Sequence, residues 1–443
     1  MSPAPDSHMS DWNDSLGYLT VGVAGIGGRI KQRPGDFRVE EIPAYEPSGE
    51  GEHLFLLIEK QNVTTMQLIG RLARVFGVRK NDIGYAGLKD KHAVTRQYLS
   101  IWRPGAVDDE QMLDRLRAQA GEQIELIASA RHGNKLRRGH LKGNRFGIRI
   151  RHVGQDALSS AQVILDVLLK RGVPNYHGPQ RFGHRGNNHL VGKLLLREQW
   201  SQALDQMLGR PRDDESERVS QARSAYEQGD IEKAHALWPD ALRQELRVLN
   251  LLKQGKTPRQ ALRAMDRNQK RFLVSSVQSA IFNRVLALRI EPSGPLPFDR
   301  LAEGDLAFKH DSGAVFTVDG STAEIENAPE GRAVALEVSP TGPMWGGKMT
   351  RAGGEPGRIE SQVLDEFGLT ESDLADNGYF VPQGERRPLR AVIEHGRLSQ
   401  GADEHGDYLQ LDLQLPRGSF ATVALREIMK DELAFGAADE AED

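Results

Sequence analysis

The clearest hydrophobic patterning lies at the two ends of the chain. Residues 53–60, HLFLLIEK, read as a strand. Thr64 and Thr65 follow as N-cap candidates; Ile69, Leu72, Ala73 and Phe76 then fall on one helical face, and Gly77 is placed to stop the helix. In 143–151, Phe146, Ile148 and Ile150 alternate with Arg145, Arg149 and Arg151, which predicts a half-buried strand with an arginine face. Asp156 offers an N-cap for a helix reaching Arg171, with Gly172 and Pro174 as stop signals. Near the C-terminus Leu409, Leu411, Leu413 and Leu415 alternate with Gln410, Asp412 and Gln414. The turn PRGSF and a helix through Ala424, Leu425, Ile428 and Met429 complete this segment.

The middle reads differently. Residues 190–285 are mostly helical in pattern, and 211–247 is charged enough to read as a surface insertion. Residues 290–360 are rich in Gly and Pro, with short strand-like runs such as AVALEV. Strands and helices at both ends predict one α+β domain assembled from both termini. The expected division is 1–171 and 391–443 for that split domain, with 172–390 as a second, inserted α+β domain.

Composition narrows the chemistry. With 38% hydrophobic and 27% charged residues, the chain has the make-up of a globular protein. No apolar run approaches a membrane span, and MSPAPDSHMSDWNDS carries no basic and apolar leader, so the cytoplasm is the expected compartment. The absence of cysteine excludes disulfides, thiolate nucleophiles and Cys-based zinc sites. The net charge of −4 hides its distribution: Arg131–Arg151 holds eight Lys/Arg and no acid, while the tail AADEAED is purely acidic and is expected to be disordered. Such a basic run suits a phosphate-bearing partner, although many are solvated faces.

Several motifs are weaker than they look. VAGIGGRI (23–30) lacks the third glycine of a dinucleotide loop and has no βαβ unit around it. His184 and His189 have no metal-site pattern. YAGLKDKHAVTRQYLSIW (85–102) sets Asp90 between Lys89 and Lys91, with Arg96 nearby, and cations favour the ionised carboxylate. By residue chemistry alone, a surface salt-bridge turn is the commoner meaning.

GLKDKHAVTRQ nevertheless resembles the signature of the TruD family of tRNA pseudouridine synthases. Other segments agree in the family's order: KQRPGDFRVEEI (31–42), GNRF (143–146), NYHGPQRFG (175–183) and LPRGSFATVALREI (415–428). VSSVQSAIFN (274–283) also resembles a family helix. Two departures stand out: His177 where the family usually has Phe, and Val277 where it has Tyr.

The resemblance implies a pseudouridine-synthase-like catalytic domain with a mixed or antiparallel sheet and flanking helices, split by an inserted TRUD domain. It implies conversion of uridine 13 in the tRNA D arm to pseudouridine, with Asp90 as the catalytic aspartate. Phe37, Asn144 and Phe420 would line the uridine pocket. Lys89 would keep Asp90 ionised or contact phosphate. Arg137, Arg138, Arg145, Arg149 and Arg151 would hold the RNA backbone. The partner is tRNA; no metal, cofactor, membrane or obligatory protein partner is implied, and a monomer is the default. An RNA-binding or RNA-chaperone protein of the same fold without turnover is the alternative. A thiolate-type uridine methyltransferase is disfavoured by the lack of cysteine.

Overall fold

Residues Leu141–Arg151 form an 11-residue strand on which Phe146, Ile148 and Ile150 are buried, as their alternation requires. This strand is central to the sheet that positions the candidate site. The computed structural model describes residues 16–105, 108–375 and 383–431, so the N-terminal segment read above and the acidic tail lie outside the described residues.

Among these residues the chain forms two units: Tyr18–Asn175 with the segment from Arg390 onward, and Leu16, Gly17 with Tyr176–Leu389. The first contains β1 (Phe37–Pro43), β2 (His53–Gln61), β3 (Ile83–Tyr85), β4 (Val94–Trp102), β5 (Ile124–His132), β6 (Leu141–Arg151), β7 (Glu394–Asp403) and β8 (Gly406–Pro416). The sheet order is β7-β8-β6-β1-β4-β2-β5, with β3 beside β4. Every pairing is antiparallel except β1 with β4, so the sheet is mixed.

Helix α1 (Thr65–Phe76) begins at Thr64, whose side chain accepts from the Gln67 N–H while Gln67 answers in a capping box. It ends at Gly77 in the left-handed conformation, which glycine adopts at no steric cost. Leu68, Ile69, Leu72 and Phe76 pack on Leu56, Ile58 and Leu99 of the sheet, together with Met112, Leu113 and Leu116 of α2 (Asp109–Gln119). Helix α3 (Ala157–Arg171) packs on β7 and on α4 (Ala421–Met429). All four even-spaced leucines of β8 are buried.

The glycine-rich run before β1 is a packing device. The Ile26 and Gly27 N–H groups donate to the Ile428 and Met429 carbonyls at 3.0 and 2.9 Å. A Cβ on Gly25 would stand 2.4 Å from the Met429 carbonyl oxygen.

In the second unit the 24-residue helix Arg267–Ile290 carries the core, with Val274, Val277 and Ile281 against Trp345 and Val363. A four-stranded sheet orders Glu385–Pro388, Val338–Met344, Leu306–Lys309 and Val315–Thr317. The charged 211–247 stretch is more than surface. It forms Glu217–Glu227, Ile231–Leu237 and the start of Arg243–Lys253, and buries Ala222, Ala234 and Trp238. AVALEV is corrected: the strand starts only at Val338, and 332–336 is turn. There the Ala333 N–H donates to Glu326 and the Val334 N–H to Gly331, so local turn bonds override the β propensity.

Candidate active site

Asp90 sits on the loop between β3 and β4, and that loop is fixed from below. Lys60, at the end of β2, is 1% exposed. Its ammonium donates to the carbonyls of Val63, Lys89 and Asp90 at 2.6, 3.1 and 2.9 Å. A buried cation is tolerated there because several carbonyl dipoles solvate it. Thr65 Oγ1 accepts the Lys89 N–H at 3.0 Å and donates to Gln97 Oε1 at 3.1 Å. The Lys89–Asp90 backbone is thus tied to β2 through Lys60 and to α1 through Thr65, which in turn bonds the Gln97 side chain of β4.

The Asp90 side chain is 35% exposed, and its Oδ2 lies 3.3 Å from Lys31 Nζ, whose side chain is 4% exposed. Lys31 Nζ also stands 4.5 Å from the centroid of the Phe37 ring, an attractive cation–π placement. Phe37 packs edge-on against Phe146 at 6.2 Å. The carboxylate is therefore open to solvent on one side and held by a buried ammonium on the other.

Three expectations change here. Lys89 is buried and pairs with Glu41 of β1 at 2.8 Å, so it neither offers Asp90 a counter-charge nor reaches a phosphate. Arg96 pairs with Glu59 at 2.6 Å. Phe37 is 2% exposed and supports Lys31 instead of presenting an open face to a base. The counter-charge comes from Lys31, 59 positions earlier in the chain. Lys31 begins the KQRPGDF segment, but no local pattern links it to Asp90.

Asn144 lies on β6 opposite both Glu41 of β1 and Leu415 of β8. Its Oδ1 is buried without a hydrogen-bond partner, an unusual state for a buried acceptor. The turn after β8 is tied to the start of β6: the Arg417 N–H donates to the Lys142 carbonyl at 3.0 Å and its guanidinium to the Gly139 carbonyl at 3.2 Å. Phe420 caps α4 just beyond this turn and is 42% exposed, so it is not a core residue.

The arginines separate by burial. Arg137 and Arg138 are exposed, and Arg138 donates to the Tyr85 hydroxyl at 2.6 Å. Arg145 is exposed beside Glu40, at 3.1 Å. Arg149 is half-buried, pairs with Asp403 at 3.0 Å and lies over the Tyr408 ring. Arg151 is corrected outright: at 2% exposure it bridges Asp36 and Asp403, each at 2.7 Å, and cannot reach an RNA backbone. Its position after Ile150 would suit the exposed face, but the two carboxylates draw it inward. The Arg151 guanidinium holds the Asp403 carboxyl well below the usual carboxylate range.

Among the described residues no helix is long and apolar enough to cross a membrane. No group of three or more His, Asp or Glu among them is arranged to hold a metal ion.

Known proteins resemble this chain over nearly all of its length. Residues 15–428 match the family model described as tRNA pseudouridine synthase D (TruD). A Geobacter sulfurreducens protein named tRNA pseudouridine synthase D is 44% identical over 421 residues, covering 95% of this chain and 98% of that protein. A Thermus thermophilus protein of the same name is 36% identical, covering 94% and 92%. A crystal structure of a Methanosarcina mazei protein described as a tRNA pseudouridine synthase D superposes with a TM-score of 0.78 at 30% identity, covering 94% of this chain and 97% of that one. With this coverage, and with an α+β fold around a mixed sheet, the chain belongs to the tRNA pseudouridine synthase D (TruD) family.

Proposed function

We propose that this chain isomerises uridine to pseudouridine in tRNA, at position 13 of the D arm, with Asp90 as the catalytic carboxylate. The sheet unit is the catalytic domain, and Tyr176–Leu389 is the inserted RNA-binding domain. The enzyme is read as a cytoplasmic monomer that needs no cofactor.

The observation that carries this reading is the setting of Asp90: a solvent-reachable carboxylate 3.3 Å from a buried ammonium, on a loop whose carbonyls are pinned by Lys60. The reaction breaks the N1–C1′ bond and forms C5–C1′. A proton leaves C5 and one is gained at N1, so nothing is oxidised or reduced. The base must leave the stack for the carboxylate to reach the sugar. Addition of Asp90 to C1′ and abstraction of a ribose proton in a glycal-type route both need an ionised carboxylate with a fixed backbone. Asn144 Oδ1, an acceptor without a partner, suits the uracil N3–H. The exposed Phe420 ring suits stacking on the flipped base. Arg137, Arg138, Arg145 and Arg149 supply backbone contacts, and Arg151 acts by holding the sheet together.

The test is Asp90→Asn, with pseudouridine mapped at single-nucleotide resolution in tRNA treated with the purified protein. Formation at position 13 should fall to background while tRNA binding and the melting temperature stay close to wild type. Substantial pseudouridine formation by the variant would sink the assignment of Asp90. Wild-type protein that binds tRNA without modifying it would favour the RNA-chaperone alternative.

A further inference from the structure

We propose that Lys91 holds a phosphate of the nucleotide on which Asp90 acts. The proposal deepens the reading that Asp90 works on a uridine of tRNA, and it rests on that reading.

The cations around Asp90 differ in what they are free to do. Lys31 Nζ lies 3.3 Å from Asp90 Oδ2. Lys60 is occupied by backbone carbonyls. Lys89 is buried against Glu41 at 2.8 Å, and Arg96 pairs with Glu59 at 2.6 Å. Lys91 is different: it is partly exposed, and among the described residues its ammonium makes no hydrogen bond or ion pair. Of the two lysines on the loop between β3 and β4, it alone is left to meet an incoming group.

A free lysine on a surface is ordinary. The place of this one is not. It directly follows Asp90, and across the trans peptide the two Cα atoms stand about 3.8 Å apart. The carbonyl of that peptide belongs to Asp90 and accepts from Lys60 at 2.9 Å. The Lys91 N–H lies in the same rigid plane. The buried ammonium of Lys60 therefore fixes the root of both side chains. Beyond that root, a flexible four-carbon stem lets the Lys91 ammonium follow an anion.

The chemistry supplies the anion. Asp90 must meet the ribose of the target nucleotide, at C1′ or at a neighbouring proton. The same ribose carries a phosphate on its 5′ side and another on its 3′ side. A phosphate thus arrives within one ribose of the carboxylate, and the two negative charges repel. The charges already in place are matched: Lys31 with Asp90, Lys89 with Glu41, Arg96 with Glu59. An added phosphate calls for an added cation, and Lys91 is the one that the loop supplies. An ammonium meets a phosphate as a point charge, so no fixed fork of donors is needed.

The test uses the full chain and tRNA. Lys91→Gln should weaken binding by about tenfold. It should also flatten the slope of log K against log salt by about 0.7–0.9, the loss of one phosphate contact. Lys91→Arg keeps the charge and should keep the slope. Chemistry on the RNA locates the contact: a neutral methylphosphonate replaces the phosphodiester on the 5′ or the 3′ side of the target uridine. At one of these positions it should weaken wild-type binding by the same factor, and Lys91→Gln should then have no further effect. The Lys91 side chain makes no bond within the described fold, so Lys91→Gln should melt with the wild type. Should it melt early, Lys91→Ala repeats the comparison, and a wild type indifferent to both neutral linkages overturns the contact without any variant. An unchanged slope in folded Lys91→Gln, a slope lost equally in Lys91→Arg, or an effect of Lys91→Gln that persists at both neutral linkages would also overturn it. These are binding measurements and need no turnover. A wild type that makes pseudouridine beside any of those outcomes loses only the role of Lys91; a wild type that makes none sinks the proposed function and this contact together.

Discussion

The ammonium of Lys31 lies 3.3 Å from Oδ2 of Asp90, across 59 positions of sequence. It is buried and the carboxylate is not. The ammonium can thus organise Asp90 without blocking it. Lys31 has little room to move, since its Nζ is also held over Phe37.

Lys31→Met keeps the length of the side chain and removes the charge. Hydrogen bonds to charged groups contribute roughly 1.5–3 kcal/mol. Turnover should therefore fall by about ten- to a hundredfold, since about 1.4 kcal/mol is a factor of ten. Affinity for tRNA should barely change, because Lys31 is too buried to meet a phosphate. Single-turnover kinetics beside a binding isotherm separates the two, and a variant with full turnover would remove Lys31 from the site.

Phe420→Leu tests the exposed ring. A side chain 42% exposed at a helix N-cap contributes little to the core, so the melting temperature should move little. Stacking on a base is worth roughly 1–3 kcal/mol, and turnover should drop accordingly. A large melting shift with near-normal specific activity would return Phe420 to a packing role.

The backbone contacts are tested with charge removed in steps. Replacing Arg137, Arg138, Arg145 and Arg149 by Gln should flatten the log K versus log salt slope by roughly 0.7–0.9 for each true contact. The exposed Arg137 and Arg138 should act mainly on binding. Arg149→Gln should also cost stability, since it removes a partner of Asp403. A fourfold variant with unchanged affinity and slope would refute the RNA role of this face.

Asp403 gives a pH test of the fold. Its folded-state pKa is depressed, chiefly by the hydrogen bond from Arg151. Its contribution to stability is therefore present above the unfolded carboxylate value, about 3.9, and is lost as pH falls through the folded value. Asp403→Asn should be less stable than wild type at pH 7, with the gap closing as pH drops below about 4. Denaturant titrations across that range check it. A gap that widens in acid would mean that the ion pair is not what stabilises this corner of the sheet.

The chain's local chemistry determined much of the sheet unit that carries Asp90. Period-two leucines in 409–415 and the Phe146, Ile148, Ile150 alternation could only be half-buried strands, and both are. The Thr64–Gln67 box and Gly77 set both ends of α1 through bonds that span a few residues. Asp90 stands out as a candidate in the sequence because its flanking motif is contiguous. Tertiary structure decided how the charges are shared. Lys89 is adjacent to Asp90 in sequence yet pairs with Glu41, and Lys31 takes the place expected of it. Arg151 shares the alternation of Arg145 and Arg149, yet it turns inward because Asp36 and Asp403, 115 and 252 positions away, meet there. A charged side chain is long and its pairing energy depends on desolvation and on which counter-ion is within a few ångströms. Those quantities exist only once distant segments have been brought together, so backbone periodicity could reveal the strands but not the ion pairs upon them.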